Sequence, residues 1–547
     1  MNIETKKNIR FHIMAVLLII IFCIAITPKT FQNDTFYTIK IGEYILENGV
    51  TMQEPFSWHQ NLQYTFPHWA YDVFIYSMYN IGGFLGIYIS TIVLASILGI
   101  LLYFVNIKFS KNKIISFIFS IIALYLLKDY ICARAQLVTF ILFVLTIYFI
   151  EQFLDTKKIK YAIGLIIIPI LIANLHTATF YFYFILYLPY IAELGIYILS
   201  YCNVIISESV MQSIKNKIIK YGETEELTLK LQKAESKYNR LKANQDKKMD
   251  NPYKINIRYR ANTKILIVIF IICLLTGFLT PIGTTPYTYL IKTMQGISTK
   301  NISEHIPVVL ANHKDLLITL IVLVSLISFT KIKTNISDLF MVTGLTLLAI
   351  LSQRQSSMVY LIGSIILVKW LSNWLEECNN GNFIKKLESI SSKLIGIIII
   401  SVLIISFSIY KFKNKKDAEY VNEKIYPVQA AEWIKENLNI EQIKLYNEYN
   451  YGSYLLYRDI PVFIDSRADL YLPEFNKDVY VFRDFLNLNG WHLADMEQKI
   501  EEYGFTHFIV LKNTALKKYL DIYSDKYKKI YPTGDISDES FTIYEKI

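Results

Sequence analysis

Residues 6–26 read KKNIRFHIMAVLLIIIFCIAI: a basic start at Lys6, Lys7 and Arg10, then an apolar run from Ile13 to Ile26. A charged segment ahead of a short apolar one has the form of a secretory signal peptide, yet no small-residue cleavage site follows and further apolar runs do. The stretch therefore reads as an uncleaved first membrane span whose basic end faces the cytoplasm. The composition agrees. Of the 547 residues, 53% are hydrophobic and 19% charged, where a soluble protein carries roughly 45–50% and about 25%. Those proportions exclude a string of soluble domains, a disordered chain, a collagen and a coiled-coil rod. The cysteines, Cys23, Cys132, Cys202, Cys273 and Cys378, are scattered without a CxxC pair, so no disulfide framework is indicated.

Further apolar runs lie at 84–107, 114–127, 137–154, 161–175, 180–206, 264–281, 315–330, 338–351, 356–372 and 394–410. That gives about eleven spans, although several fall short of the ~17 residues a helix needs to cross the hydrocarbon layer. The loops orient them. With the N-terminus inside, the even-numbered connections carry Lys108, Lys111 and Lys113, then Lys157, Lys158 and Lys160, then all of 207–262, then Lys331 and Lys333, then Lys385, Lys386 and Lys393. Lysine-rich loops are the mark of the cytoplasmic side. The net charge of +10 is thus an orientation signal and needs no nucleic-acid partner.

The expected fold is a polytopic α-helical membrane protein with a C-terminal extracytoplasmic α/β domain. The transmembrane domain covers residues 1–410, with a large first external loop at 31–82 and a cytoplasmic Lys/Glu-rich helical insertion at 207–262. The soluble domain covers 411–547. In the insertion, EELTLKLQKAESKYNRLKANQ alternates charge at helical spacing, the pattern of a solvated or surface-lying helix. In the C-terminal domain IKLYN, PVFID, THFIVL and FTIYEK read as strands, and PVQAAEWIKENL, EFNKDVYVFRDFL and ADMEQKIEEYG as helices. No glycine-rich phosphate loop appears there.

Charged residues beside membrane spans are costly, so each is a functional hypothesis. Those expected on the outer face are Asp34, Glu43, Glu54, His59, His68 and Asp72 in the first external loop, and Lys128, Asp129 and Arg134 in the second. Asn174 and His176 follow in the third, Glu304, His305 and His313 in the fourth, Gln353, Arg354 and Gln355 in the fifth. A transporter would place polar residues and helix breaks near mid-span. Five loops presenting acids, imidazoles and arginines to one face point instead to a reaction or binding site at the outer interface. The first loop opens with an amphipathic helix over 34–48, capped by Asp34 and ended by Asn48-Gly49. Its aromatic WAYDVFIYSMY is too short to span and belongs in the interface.

An acid just after the first span, a helix ending in NG, then EPFSW, then PHWAYDVFIY, resembles the first external loop of GT-C superfamily membrane glycosyltransferases. It is closest to bacterial members whose loop reads roughly D…G…P-x-D-P-F-S…N-H-E-W-L. ARAQL, ANLHT, TPIGTTPYTYL, SQRQ and YNEYNYGSYLLYRDIPVFIDSRADLY are similar as well, in order along most of the chain. The resemblance implies a cell-membrane enzyme that takes a sugar from a polyprenyl-phosphate carrier and passes it to a lipid, glycan or protein acceptor at the outer face. By position, Asp34 is its general base and Glu54 stands where relatives have an acid before P-F-S, which makes these two the expected catalytic residues. In some members the acid is a metal ligand, so Asp34 and Glu54 would hold any divalent cation, Mg or Mn, with His59 or His68 assisting.

Four residues are the expected donor-phosphate and substrate contacts: His68, Arg134, His176 and Arg354. The two arginines suit a leaving phosphate, and the alternative for both is snorkelling to the interface. The chain departs from the family pattern at Pro67, which replaces Asn, at Ala70 after Trp69 and at Ala135 after Arg134. In DSRAD, Asp465, Arg467 and Asp469 form either a salt-bridged turn or an acceptor contact. Two further functions stay open: a glycan polymerase or ligase of cell-envelope polysaccharide assembly, and a non-catalytic scaffold of the envelope with a GT-C-like fold.

Overall fold

The computed structural model describes residues 3–249, 255–330, 332–377, 382–391, 393–490, 493–532 and 538–547; Lys331, Cys378 and positions 250–254 of the insertion lie outside them. All the apolar runs fold as helices. Among the described residues, 6 helices are long and apolar enough to cross a membrane: Asn8–Ile26, Trp69–Ser110, Gln136–Thr156, Thr177–Tyr221, Gln353–Glu376 and Leu394–Lys413. Lys113–Leu126, Ile159–Leu175, Thr263–Phe278 and Ile336–Leu351 are shorter apolar helices, and Lys314–Phe329 has 16 residues.

The first helix, α1 (Ile3–Ile26), marks the two ends of the bundle. Near its start Asn8 accepts a hydrogen bond from Lys113, and just beyond its end the Thr27 carbonyl accepts one from Lys415 Nζ at 2.7 Å. At 1.5 Å per residue these points are roughly 28 Å apart. The site residues gather at the Thr27 end. At the other end, Arg260 meets Glu151 at 2.7 Å and Lys369 meets Asp338 at 2.6 Å, buried ion pairs inside or beside apolar runs. There the helix Leu188–Tyr221 runs on for 34 residues, about 51 Å, well past a hydrocarbon layer of ~30 Å. It folds back as Glu225–Met249 into a hairpin held by Lys215 and Glu235 at 3.0 Å. The short strands β1 (Ile255–Asn256) and β2 (Thr334–Asn335) pair in parallel and close the insertion.

Helix α2 (Asn33–Asn48) ends where expected: Gly49 takes φ 75° and donates its N–H to Ile45 O. Its start corrects the sequence reading. The N-cap is Gln32, without a side-chain cap bond, and Asp34 lies inside the first turn. The Asp34 carboxylate turns to Arg134, because a full guanidinium charge outweighs the half charge of a helix N-terminus. Helix α3 (Trp69–Ser110) breaks at Gly82 and Gly83, the latter at φ 58°. The aromatic segment 69–81 therefore leaves the line of the long apolar part. It packs on α2 so tightly that a Cβ on Gly42 would meet the Asp72 carbonyl.

The C-terminal region forms a four-stranded sheet of β3 (Leu445–Tyr446), β4 (His507–Leu511), β5 (Tyr527–Tyr531) and β6 (Phe541–Lys546), in the order β3-β4-β6-β5. β3 and β4 are parallel and the other pairs antiparallel. Three of the expected strands are present, and β5 replaces PVFID. That segment instead makes a bridge from Val462 to Ser57 of the first loop. EFNKDVYVFRDFL is helical only from Val481 to Leu488, and YNYGSYLLY, a helix over Tyr449–Tyr457, went unforeseen. The first loop and this region share one core: Phe36, Ile39, Tyr64 and Phe66 are buried with Leu445, Phe463, Phe508 and Ile543. Edge-on aromatic contacts join them, Phe36 lying 4.8 Å from Tyr426 and 5.1 Å from Tyr454. Trp58 Nε1 donates to Leu445 O at 3.1 Å, and Gln63 and Asn476 exchange backbone-to-amide bonds at 2.8 and 2.9 Å.

Candidate functional site

At the Thr27 end of the bundle a cavity of about 440 Å³ is lined by Arg134, Glu304, Lys314, Arg354 and the tyrosines Tyr130 and Tyr360. That volume lies in the range of small-molecule sites. Arg134 sits in the tight turn that leads into the helix Gln136–Thr156, its own N–H bonded to Cys132 O at 2.8 Å. The guanidinium is gripped from two sides, by Asp34 and, at 2.8 Å, by Glu304. Burial works against the Arg134 charge, but Asp34 and then Glu304 outweigh it and hold the group protonated. For Glu304 burial acts upward, while Arg134 and Arg354 together bring it below its ordinary value. Glu304 and Arg354 are also joined through the main chain, Arg354 N–H donating to Glu304 O at 2.8 Å. Next to them His305 is driven down to about 4 by burial and by Arg354, and stays neutral.

His68 is not among the residues that line this cavity. Its Nδ1 donates to Asp72 at 2.7 Å and its Nε2 is 3.2 Å from Tyr37 OH. Burial pulls the imidazole down, but the Asp72 carboxylate prevails and the net shift is upward. His176 is enclosed, with Nδ1 2.8 Å from Thr139 Oγ1. Burial, with Arg354, His68 and Arg134 behind it, keeps it well below its ordinary value and so neutral. Both histidines sit where the first and third loops are stitched together, by Thr177 N–H to Pro67 O at 2.8 Å and Trp69 Nε1 to Asn174 Oδ1 at 3.1 Å.

Glu54 departs from expectation. Its carboxylate is fully buried and accepts from Phe56 N–H and Ser57 N–H at 2.9 Å, Ser57 Oγ at 2.7 Å and Arg467 Nη2 at 2.8 Å. Arg467 is held in turn by Asp465 at 2.6 Å, which also accepts from Tyr471 OH at 2.7 Å. With every lone pair engaged, Glu54 is a clamp between the first loop and the DSRAD turn, and it does not join Asp34. His59 is a second such tie, donating Nε2–H to Phe463 O at 2.8 Å, and burial keeps it neutral. Among the described residues no group of three or more His, Cys, Asp or Glu could hold a metal. Asp34 is taken by Arg134 and Glu54 by Arg467, so this donor set does not fit a resident Mg or Mn.

The structure thus sets Arg134 and Arg354 in one cavity lining with Asp34 ion-paired to Arg134, keeps His68 and His176 off that lining at the contact of the first and third loops, and places Glu54 with Arg467. Two residues beside the site, Glu304 and Tyr37, carried no expected role, and Asp469 carried only the two DSRAD alternatives. Glu304 stood among the charged outer-loop residues without a role. Tyr37 falls one helical turn after Asp34. Asp469 is pushed up to about 6 by burial, and Thr65 Oγ1 offers it only a 3.4 Å contact. In comparisons with known proteins, no protein-family model matches the chain and no curated protein matches it.

Proposed function

We propose that this protein is a membrane glycosyltransferase that moves a sugar from a polyprenyl-phosphate carrier to a lipid, glycan or protein acceptor. One observation carries the reading: Arg134 and Arg354, from two separate loops, line one charged cavity beside the membrane-spanning bundle, and Asp34, from a third loop, is ion-paired to Arg134. In it Arg354 and Arg134 bind the donor's phosphate by charge-assisted hydrogen bonds and stabilise it as it leaves. Asp34 takes the proton of the acceptor hydroxyl. Arg134 positions that carboxylate through their ion pair. In the same proposal the chain crosses the membrane about eleven times, its N-terminus and hairpin lie in the cytoplasm, and the cavity and the C-terminal unit lie outside. The lysines of the loops near Lys113 and of the hairpin support that orientation, since they gather at the bundle end opposite the cavity.

The test is Asp34→Asn in cells, with lipid-linked glycans profiled and the protein quantified. The reading expects loss of product at normal protein level, a fall of about a hundredfold or more for a lost general base. Unchanged product with normally accumulated protein would remove Asp34 from the chemistry. A second reading, a non-catalytic envelope scaffold, draws on the Glu54–Arg467 clamp. It expects Asp34→Asn to be tolerated and deletion of 411–547 to abolish the phenotype.

A further inference from the structure

Charge around the cavity is unevenly paired. Lys128 takes up Asp315 at 3.2 Å and Asp129 at 3.6 Å. That leaves Arg354 and Lys314 facing the cavity without an ion-pair partner among the described residues. Of the three carboxylates that line the cavity, Asp129, Asp315 and Glu304, it is Glu304 that is bonded to Arg134, at 2.8 Å, with 42% of its side chain exposed. Its backbone is fixed: Glu304 O accepts from Arg354 N–H at 2.8 Å, and on the same strand of loop Ile306 O accepts from Gln353 N–H at 3.0 Å. A rotation of the side chain alone would take its carboxylate off Arg134 while the loop stays in place. A carboxylate and a phosphate offer a guanidinium the same pair of oxygens.

We infer that Glu304 competes with the ligand's phosphate for Arg134: its carboxylate occupies the phosphate position, and binding exchanges one anion for the other by a side-chain rotation. The inference rests on the donor reading above and adds to it the place of the phosphate, between Arg134 and Arg354, and the residue that sets its affinity. The exchange keeps Arg134 paired at every stage, so its buried charge is never left bare. It also discriminates. A neutral lipid or a sugar without phosphate cannot displace a carboxylate from a guanidinium, whereas a phosphate that gains Arg354 as well can.

The experiment titrates the full-length protein in detergent with a polyprenyl monophosphate, and separately with inorganic phosphate, reading bound fractions by native mass spectrometry. Glu304→Gln should bind the phosphate lipid about tenfold more tightly than the natural protein, the factor that corresponds to about 1.4 kcal/mol. Glu304→Asp, with the carboxylate withdrawn, should fall between them, and Arg354→Gln should bind about tenfold more weakly. Glu304→Asp also serves if the Gln variant fails to fold. Should the natural protein bind the lipid while neither Glu304 variant binds more tightly, the exchange is wrong and the donor reading stands. Should no variant bind either probe, both fall. A gain seen with inorganic phosphate alone upholds the exchange and assigns it to a free anion, overturning the lipid as its source.

Discussion

Truncating Glu54 to Ala separates structure from chemistry in the first loop. The substitution removes four hydrogen bonds from a carboxylate with no exposed surface and leaves Arg467 with Asp465 alone. Breaking a buried ion pair by removing one partner costs about 3–5 kcal/mol. The stranded Phe56 and Ser57 amides would add to this, except that the truncated site admits water to them. For a unit of about 150–250 residues, 1 kcal/mol moves the melting temperature by roughly 2–4 °C, so the expected fall is roughly 6–20 °C. Glu54→Gln, which keeps the volume and one acceptor, should lose less, about 1.5–3 kcal/mol for a charged hydrogen bond. The assay is thermal melting followed by intrinsic tryptophan fluorescence, since Trp58 lies on this interface, together with the rate of chymotryptic cleavage in residues 50–66, which hold Phe56, Trp58, Tyr64 and Phe66. Glycan product per folded molecule should be retained. A Glu54→Ala protein that melts normally, resists chymotrypsin in this loop and yet makes no product would refute the clamp and return Glu54 to the catalytic residues.

Two other outcomes are expected. Burial pushes Glu448 up to about 7 from 4.5, so the folded chain holds this proton where the unfolded chain has released it. Stability is therefore full below about pH 4.5 and declines as pH rises towards 7; melting curves across pH 5–8 should show that slope, and Glu448→Gln should flatten it. An Ala at Gly42 would drive its Cβ into the Asp72 carbonyl and so push α2 away from α3. Overpacking of this kind costs about 1–3 kcal/mol, and since α2 carries Asp34, product should fall more than the melting temperature suggests. Normal activity in that variant would show that α2 tolerates displacement.

What could be read from the sequence was what is local. The apolar runs became helices because no polar stripe interrupts them, and Asn48-Gly49 ended α2 because only a residue tolerating positive φ closes a helix that way. Arg134 and Arg354 stood out because a charge beside an apolar run is costly wherever it points. Partner choice was not legible. Asp34 looks like a cap when only its neighbours are known, and Arg134 lies a hundred positions downstream. Glu54 looks catalytic for the same reason, its partner Arg467 being remote. PVFID has the composition of a strand, but its backbone bonds are taken by the first loop and by the Asn447 side chain. β5, YKKIY, hides because its central lysines face water while Tyr527 and Tyr531 are buried. The ion pairs of Glu151 and Asp338 passed unnoticed within runs that are otherwise uniformly apolar.

The Glu54–Arg467 clamp also has a consequence measured in time. Its partners are 413 residues apart in the chain. Synthesis at ~5–20 residues per second separates their emergence by roughly 20–80 s. For that interval the first loop holds a finished helix, α2, packed on α3 but with the part of Phe36 that meets Tyr426 and Tyr454 left uncovered. A chaperone or a lipid surface must shelter that face until the C-terminal sheet arrives, and a ribosome stalled before residue 467 would leave behind an aggregation-prone stump.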